Sequence, residues 1–214
     1  MRGLEGTRVM FRDVRLIAWA STDVGRIRMA NEDSYLVDAN LGLYLVADGM
    51  GGHAGGAHAS AMCADVVNKV VRRGMARLMG MPQEDVADVI AEILTASVTE
   101  ASARIYDHAQ ADRSLQGMGT TLTGILFFGN RGYIVHVGDS RAYLLRAGTA
   151  RQLTNDHSWL NEQIEAGLIT EEEAQRSDLK HDGLYACIKD AAMKWSFPTS
   201  IGELDQPMPY TFKF

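Results

Sequence analysis

The sequence predicts an α+β fold in which antiparallel sheet is covered by helices. Three observations carry this: short apolar runs bounded by Gly, Asn and Asp open the chain and return after residue 119, two long stretches with 3.6-residue apolar spacing lie between them, and strand and helix do not alternate strictly. At 214 residues, with 46% hydrophobic and 22% charged positions, the composition is that of an ordinary globular chain. Folding at this length buries roughly 70% of the unfolded surface, so a core forms without disulfide or metal staples.

Strands are predicted first, at 14–20 (VRLIAWA), 34–38 (SYLVD) and 43–47 (LYLVA), because apolar and β-branched residues cluster there between turn formers. A helix follows, beginning near Ala57, whose apolar stripe is Ala59, Met62, Cys63, Val66, Val67 and Val70. After Pro82 a second helix presents Val86, Val89, Ile90, Ile93, Leu94, Ala101 and Ile105. Strands return at 120–128 (TTLTGILFF), 133–137 (YIVHV) and 141–146 (RAYLLR), with a turn at 129–132, and read as a meander. A last helical piece is predicted over 157–166, ending at Gly167, and Thr170 with Glu173 forms a capping box for another short helix.

Charge and cysteine content exclude several function classes. With 21 Lys and Arg against 27 Asp and Glu the formal charge is −6 and no basic block offsets it, so nucleic acid is not an expected partner. No apolar stretch approaches the ~20 residues of a membrane-spanning helix, and the opening MRGLEGTRVMFRDVRL has no apolar leader segment, so a cytoplasmic protein is expected. The two cysteines, Cys63 and Cys187, lack CxxC spacing and fit a reducing compartment. Basic residue usage shifts along the chain: sixteen Arg and one Lys precede residue 177, whereas four Lys and no Arg follow. Pro198, Pro207 and Pro209 also fall in that last part, so a domain over 1–176 and an atypical tail over 177–214 are expected.

Three segments carry candidate chemistry. The strand at 43–47 runs into Asp48-Gly49-Met50-Gly51-Gly52-His53, a carboxylate at a strand end followed by a loop in which glycine lets backbone approach an ion or phosphate, with a helix N-terminus beyond it. Upstream, Arg28 precedes the acidic pair Glu32-Asp33; paired acids suit a hard cation and the guanidinium fork suits phosphate. Asp139 lies at the tight turn Val137-Gly138-Asp139-Ser140-Arg141 between two apolar strands. Singly, each has an ordinary explanation as a steric glycine turn, a solvated acidic pair or an Asx turn. His53 and His58 read as loop or surface residues, since a hard cation does not need imidazole.

Taken in order, Gly25-x-x-Arg28-x-x-Asn31-Glu32-Asp33, Asp48-Gly49-Met50-Gly51-Gly52-His53, Gly119-Thr120-Thr121 and Val137-Gly138-Asp139-Ser140-Arg141-Ala142-Tyr143 closely resemble bacterial metal-dependent Ser/Thr protein phosphatases of the protein phosphatase 2C (PP2C) family. The segment Leu153-Thr154-Asn155-Asp156-His157-Ser158 extends the likeness, which covers about 14–176. The resemblance implies a four-layer αββα sandwich of antiparallel sheets. It also implies two Mn²⁺ or Mg²⁺ ions, with a third bound more loosely, and hydrolysis of phosphoserine and phosphothreonine in proteins by a metal-activated water. On matching positions, Asp48 would bridge both metals and Gly49 would offer its carbonyl; Glu32 and Asp33 would hold waters at the metals, Arg28 would clamp the phosphate and Asp139 would serve the third ion. Some members have a His where Met50 stands, which is thought to act as general acid; Met50 cannot donate a proton. Implied partners are phosphorylated proteins, among them a Ser/Thr kinase and its substrates.

The family pattern continues with an Asp in a Ser-Asp-Gly strand and a late Asp-Asn pair, both metal ligands, and neither has a counterpart in recognisable context. His181-Asp182-Gly183-Leu184 follows a polar stretch instead of an apolar strand. The sandwich is therefore expected to be truncated, and the alternative to an enzyme is a catalytically impaired phosphoprotein-binding module or a truncated or frameshifted remnant.

Overall fold

The computed structural model describes residues 7–11, 14–51 and 54–157. They fall into two compact units, one through Ser140 and one starting at Arg141. The helices expected after residue 157, Cys187 and the change of composition at 176 lie outside the described residues.

In the first unit, β1 (Thr7–Phe11) and β2 (Val14–Ala18) form an antiparallel hairpin. The sequence reading missed β1, because Thr7 and Arg8 leave only the three apolar residues Val9, Met10 and Phe11, too short a run to mark a strand; pairing with β2 supplies what its own pattern lacks. A second sheet, of order β3-β4-β6-β7, comprises β3 (Asp33–Asp38), β4 (Leu43–Met50), β6 (Leu122–Phe128) and β7 (Arg131–Val137), all antiparallel neighbours. The two-residue β5 (Gly119–Thr120) pairs with the end of β4, in the register that β6 continues. Pairing of Asp48 with Asp33 of β3, and of Gly49 and Met50 with β5, carries β4 three residues past its expected end, so Asp48 lies within a strand rather than beyond one. Between β6 and β7, Gly129 has φ +63°, the positive φ that the first turn position of a type II′ hairpin needs.

α1 (Ala54–Gly74) and α2 (Val86–Ala111) pack on each other and on one face of this sheet, α1 against β3 and β4 and α2 against β7. The apolar stripes are those the 3.6-residue spacing marks out. Ala59, Cys63, Val66 and Val67 of α1, and Ile90, Ile93, Leu94, Ala101 and Ile105 of α2, are buried against Leu43, Leu45, Leu122 and Leu126 of the sheet. Alternation along β4 sorts its side chains, with Leu43, Leu45 and Ala47 buried toward the helices while Val46 and Asp48 face away. Each fully buried Leu or Ile contributes about 1.5–3 kcal/mol. Gly74 ends α1 where a Cβ would lie 2.7 Å from Ile93, so its missing side chain lets the two helices close on each other.

Two expectations change. α1 begins at Ala54 instead of near Ala57, which places Gly55 and Gly56 in the helix's first turn. The third strand of the predicted meander does not join that sheet. Instead β8 (Tyr143–Arg146) pairs with β9 (Thr149–Gln152) in the second unit as a hairpin of their own, turned by Ala147 and Gly148, both at positive φ. Among the described residues of that unit, Arg141 donates from Nε to both oxygens of Asp156, at 2.8 and 3.0 Å. Among the described residues no helix is long and apolar enough to cross a membrane.

Truncation of a fully buried core residue tests this packing. Ile90→Ala should lower unfolding free energy by about 2–5 kcal/mol, read from urea denaturation. A loss below about 0.5 kcal/mol would contradict its placement in the core.

Candidate active site

The site is built where β3 begins and β4 ends. Antiparallel pairing sets Asp33 directly opposite Asp48, and the register of β4 with β5 and β6 puts Thr121 on the other side of Asp48. Asn31 prepares the entry to β3: its Oδ1 accepts the Asp33 N–H at 3.0 Å, and its Nδ2 donates to Thr22 Oγ1 at 2.7 Å. This Asx turn aims Glu32 and Asp33 in different directions.

Glu32 is held by its backbone. Its carbonyl accepts the Gly49 N–H at 3.2 Å and the Ser60 hydroxyl at 2.6 Å, and Ser60 Oγ also lies 2.9 Å from Ser34 Oγ. The approach of strand to helix is so close that a Cβ on Gly49 would sit 2.1 Å from the Gly56 carbonyl oxygen. One on Gly56 would sit 2.2 Å from Glu32 Oε2. The Glu32 carboxylate thus lies against the first turn of α1, a turn with no acid of its own, where the helix dipole favours negative charge by about 0.3–1 kcal/mol. Gly49 and Gly56 serve close approach; Gly51, at φ +128°, serves a backbone conformation that side chains resist.

Around Asp48 the charges do not balance. Loss of solvent around its carboxylate raises its pKa above the ordinary value, the facing Asp33 raises it further, Asp139 adds to this and Arg28 opposes it. Asp33, Asp139 and Arg28 therefore all act on Asp48, although 91 residues of chain separate Asp139 from Asp48. Backbone bonds fix Asp48 itself: its N–H donates to Thr121 Oγ1 at 3.0 Å, and its carbonyl accepts the Thr121 N–H at 2.9 Å and the Thr120 hydroxyl at 3.0 Å.

The structure sets Asp33 opposite Asp48, within electrostatic reach of Arg28 and Asp139, and places Glu32 and Gly49 at the N-terminus of α1. Sequence reasoning missed Ser60, which is fully buried: a serine just off an apolar stripe carries no signal until its partner carbonyl is placed. Thr121 was visible as part of a motif but without a role, because its partners arrive only through strand pairing. His53 lies outside the described residues, and His58 is exposed, with its ring 5.7 Å from that of His108.

The donors at this centre are all oxygen, and an excess of carboxylate over cationic charge suits a hard divalent cation such as Mg²⁺ or Mn²⁺. Among the described residues no group of three or more His, Cys, Asp or Glu side chains stands ready to ligate an ion as a set. The donor chemistry fits while the set is incomplete within those residues.

Comparison with known proteins agrees with the geometry. The family description "Protein phosphatase 2C" matches residues 28–181. The chain belongs to the protein phosphatase 2C family. It is 42% identical over 155 residues to the serine/threonine protein phosphatase PstP of Mycobacterium tuberculosis, covering 72% of this chain and 28% of that protein. To the serine/threonine phosphatase Stp of Listeria welshimeri it is 37% identical over 163 residues, covering 75% and 62%. The PstP catalytic domain solved in complex with two manganese ions superposes with a TM-score of 0.55 at 35% identity, covering 81% of this chain and 63% of that one. The PP2C fold expected from the sequence is thus matched, and the chain spans less than two thirds of the length of these relatives.

The raised Asp48 makes a prediction for the metal-free chain. A carboxyl whose folded pKa exceeds its unfolded one, near 3.8, costs stability that is absent below that value and grows as pH climbs through the raised folded value. In EDTA, Asp48→Asn should therefore melt at or above the unsubstituted chain at pH 7, with the gap narrowing toward about pH 4. Circular dichroism melts across that range check it; a lower Tm for the variant at pH 7 would show that Asp48 is not under strain.

Proposed function

We propose that this PP2C-family chain hydrolyses phosphoserine and phosphothreonine in proteins with the help of bound Mn²⁺ or Mg²⁺. The observation that supports this best is the convergence of Arg28, Asp33 and Asp139 on Asp48. The facing carboxylates Asp33 and Asp48, with the charge of Asp139 adding to theirs against a single guanidinium, suit divalent cations, and a phosphate dianion then meets both the cations and the arginine. Relatives at 37–42% identity are named serine/threonine phosphatases, which supports the same substrate class.

On this reading Asp48 and the Gly49 carbonyl would hold two ions, and Asp139 would serve a third. Such ions, when bound, would supply a water of lowered pKa and neutralise the charge that develops on the phosphoryl oxygens. Glu32 and Asp33 act as hydrogen-bond acceptors that orient water on the carboxylate side. Arg28, exposed at the rim, binds two phosphoryl oxygens with parallel N–H donors and so lines up the phosphorus for attack. Met50, 63% exposed, has no proton to give, and the leaving oxygen takes its proton from water. A Ser/Thr kinase and its substrates are the matching partners, and the cytoplasm the matching compartment.

The test is hydrolysis of p-nitrophenyl phosphate and of a phosphothreonine peptide by the purified chain with Mn²⁺. Turnover should vanish with EDTA and in Asp48→Asn. Arg28→Ala should raise the KM for the peptide by about 10- to 100-fold, the worth of a charge-assisted hydrogen bond pair, with a smaller effect on kcat. Peptide binding without turnover by a folded chain would replace this reading with that of a phosphoprotein-binding module.

A further inference from the structure

The hydroxyl groups beside Asp48 form a connected set that the hydrolytic reading leaves without a role. Thr121 Oγ1, which accepts the Asp48 N–H, lies 2.7 Å from Ser140 Oγ. Two residues along β6, Thr123 Oγ1 donates to the Ser140 carbonyl at 2.8 Å, and His136 Nδ1 stands 2.9 Å from the same Thr123 oxygen. A hydroxyl has one proton; since Thr123 gives it to Ser140, the His136 contact is assigned as Nδ1–H donating to Thr123. Thr123 is 6% exposed, so these bonds face little competition from water. The turn also lies against Thr121, the residue just before β6: Gly138 has φ +104°, and a Cβ there would come within 2.7 Å of Thr121 Cγ2.

Between Gly138 and Ser140 sits Asp139, whose negative charge bears on Asp48. Two like charges separate when the segment carrying one of them is free to swing outward. Here the next residue is held through both its side chain and its carbonyl. We propose that Thr121, Thr123 and Ser140 are positioning residues, a hydroxyl latch from β6 to the turn after β7 that keeps the Asp139 carboxylate directed at Asp48. The inference rests on the phosphatase reading for the ion that profits: the latch would set how tightly the Asp139 end of the site holds a divalent cation.

Two measurements on the full chain decide it. Amide hydrogen exchange in EDTA should be about tenfold faster at 138–140 in Ser140→Ala and in Thr123→Val, the factor expected for losing one net hydrogen bond, while Thr123→Ser keeps the original rate. Calorimetric Mn²⁺ titration should show affinity falling about 10- to 100-fold in Ser140→Ala, as for other groups that orient a ligand. That loss should vanish when Ser140→Ala is added to Asp139→Asn. Ser140→Ala removes one surface-side hydroxyl and carries the test if Thr123→Val fails to fold. Unchanged exchange, no Mn²⁺ binding by the unsubstituted chain, or an equal loss of affinity with and without Asp139, overturns the latch. Mn²⁺ binding that follows this pattern without phosphopeptide turnover leaves the latch standing and sinks the phosphatase reading alone.

Discussion

Two carboxylates placed face to face across a pair of strands are the constraint around which this structure is arranged. Asp33 and Asp48 are direct cross-strand neighbours, a pairing that costs free energy wherever both are ionised. Register leaves no escape. Sliding β3 by one residue would relieve the repulsion, but it would also turn Ser34, Leu36 and Asp38 away from α1, losing the Ser34–Ser60 contact, the packing of Leu36 on the core and the bonds of Asp38 to Asn68 and Arg72. The contacts of β3 with α1 therefore dictate the crowding of charge. A site for a hard cation is the natural use of charge held together in this way.

A second feature follows from how closely α1 meets β4. Strand and helix are in backbone contact at Gly49 and Gly56, and neither position has space for a methyl group. This brings the positive end of a 21-residue helix up to the Glu32 carboxylate and lets Ser60 reach the Glu32 carbonyl. Glycines that look like loop residues in the sequence are thus packing residues, and the site they border is set on the rigid part of the fold. Asp48 differs from a loop ligand in the same respect: its N–H and carbonyl are both fixed by Thr120 and Thr121.

The helices and the central sheet strands were legible in the sequence because burial imposes a period on it. In α2 the residues Ile90, Ile93, Leu94, Ala101 and Ile105 recur at helical spacing and are the ones found buried. Features lacking such a period were misread. β1 exists through its pairing with β2, β4 gains its last three residues from β3 and β5, and Tyr143–Arg146 turns back on β9 because Ala147 and Gly148 form a turn of their own. Strand partners are long-range choices, and no local pattern records them.

For the candidate site the division is similar. Residue types, order and spacing marked Arg28, Glu32, Asp33, Asp48, Gly49 and Asp139 as candidates, and the resemblance of their ordered motifs pointed to the family the chain belongs to. What tertiary structure alone decided is who faces whom. Asp33 meets Asp48 through sheet register, Asp139 reaches them from 91 residues away, Glu32 turns instead to the start of α1, and Ser60, Thr121, Thr123 and Ser140 become partners. The physical reason is that side-chain identity is written along one dimension, whereas the electrostatic and hydrogen-bond neighbours of a group are fixed by packing in three.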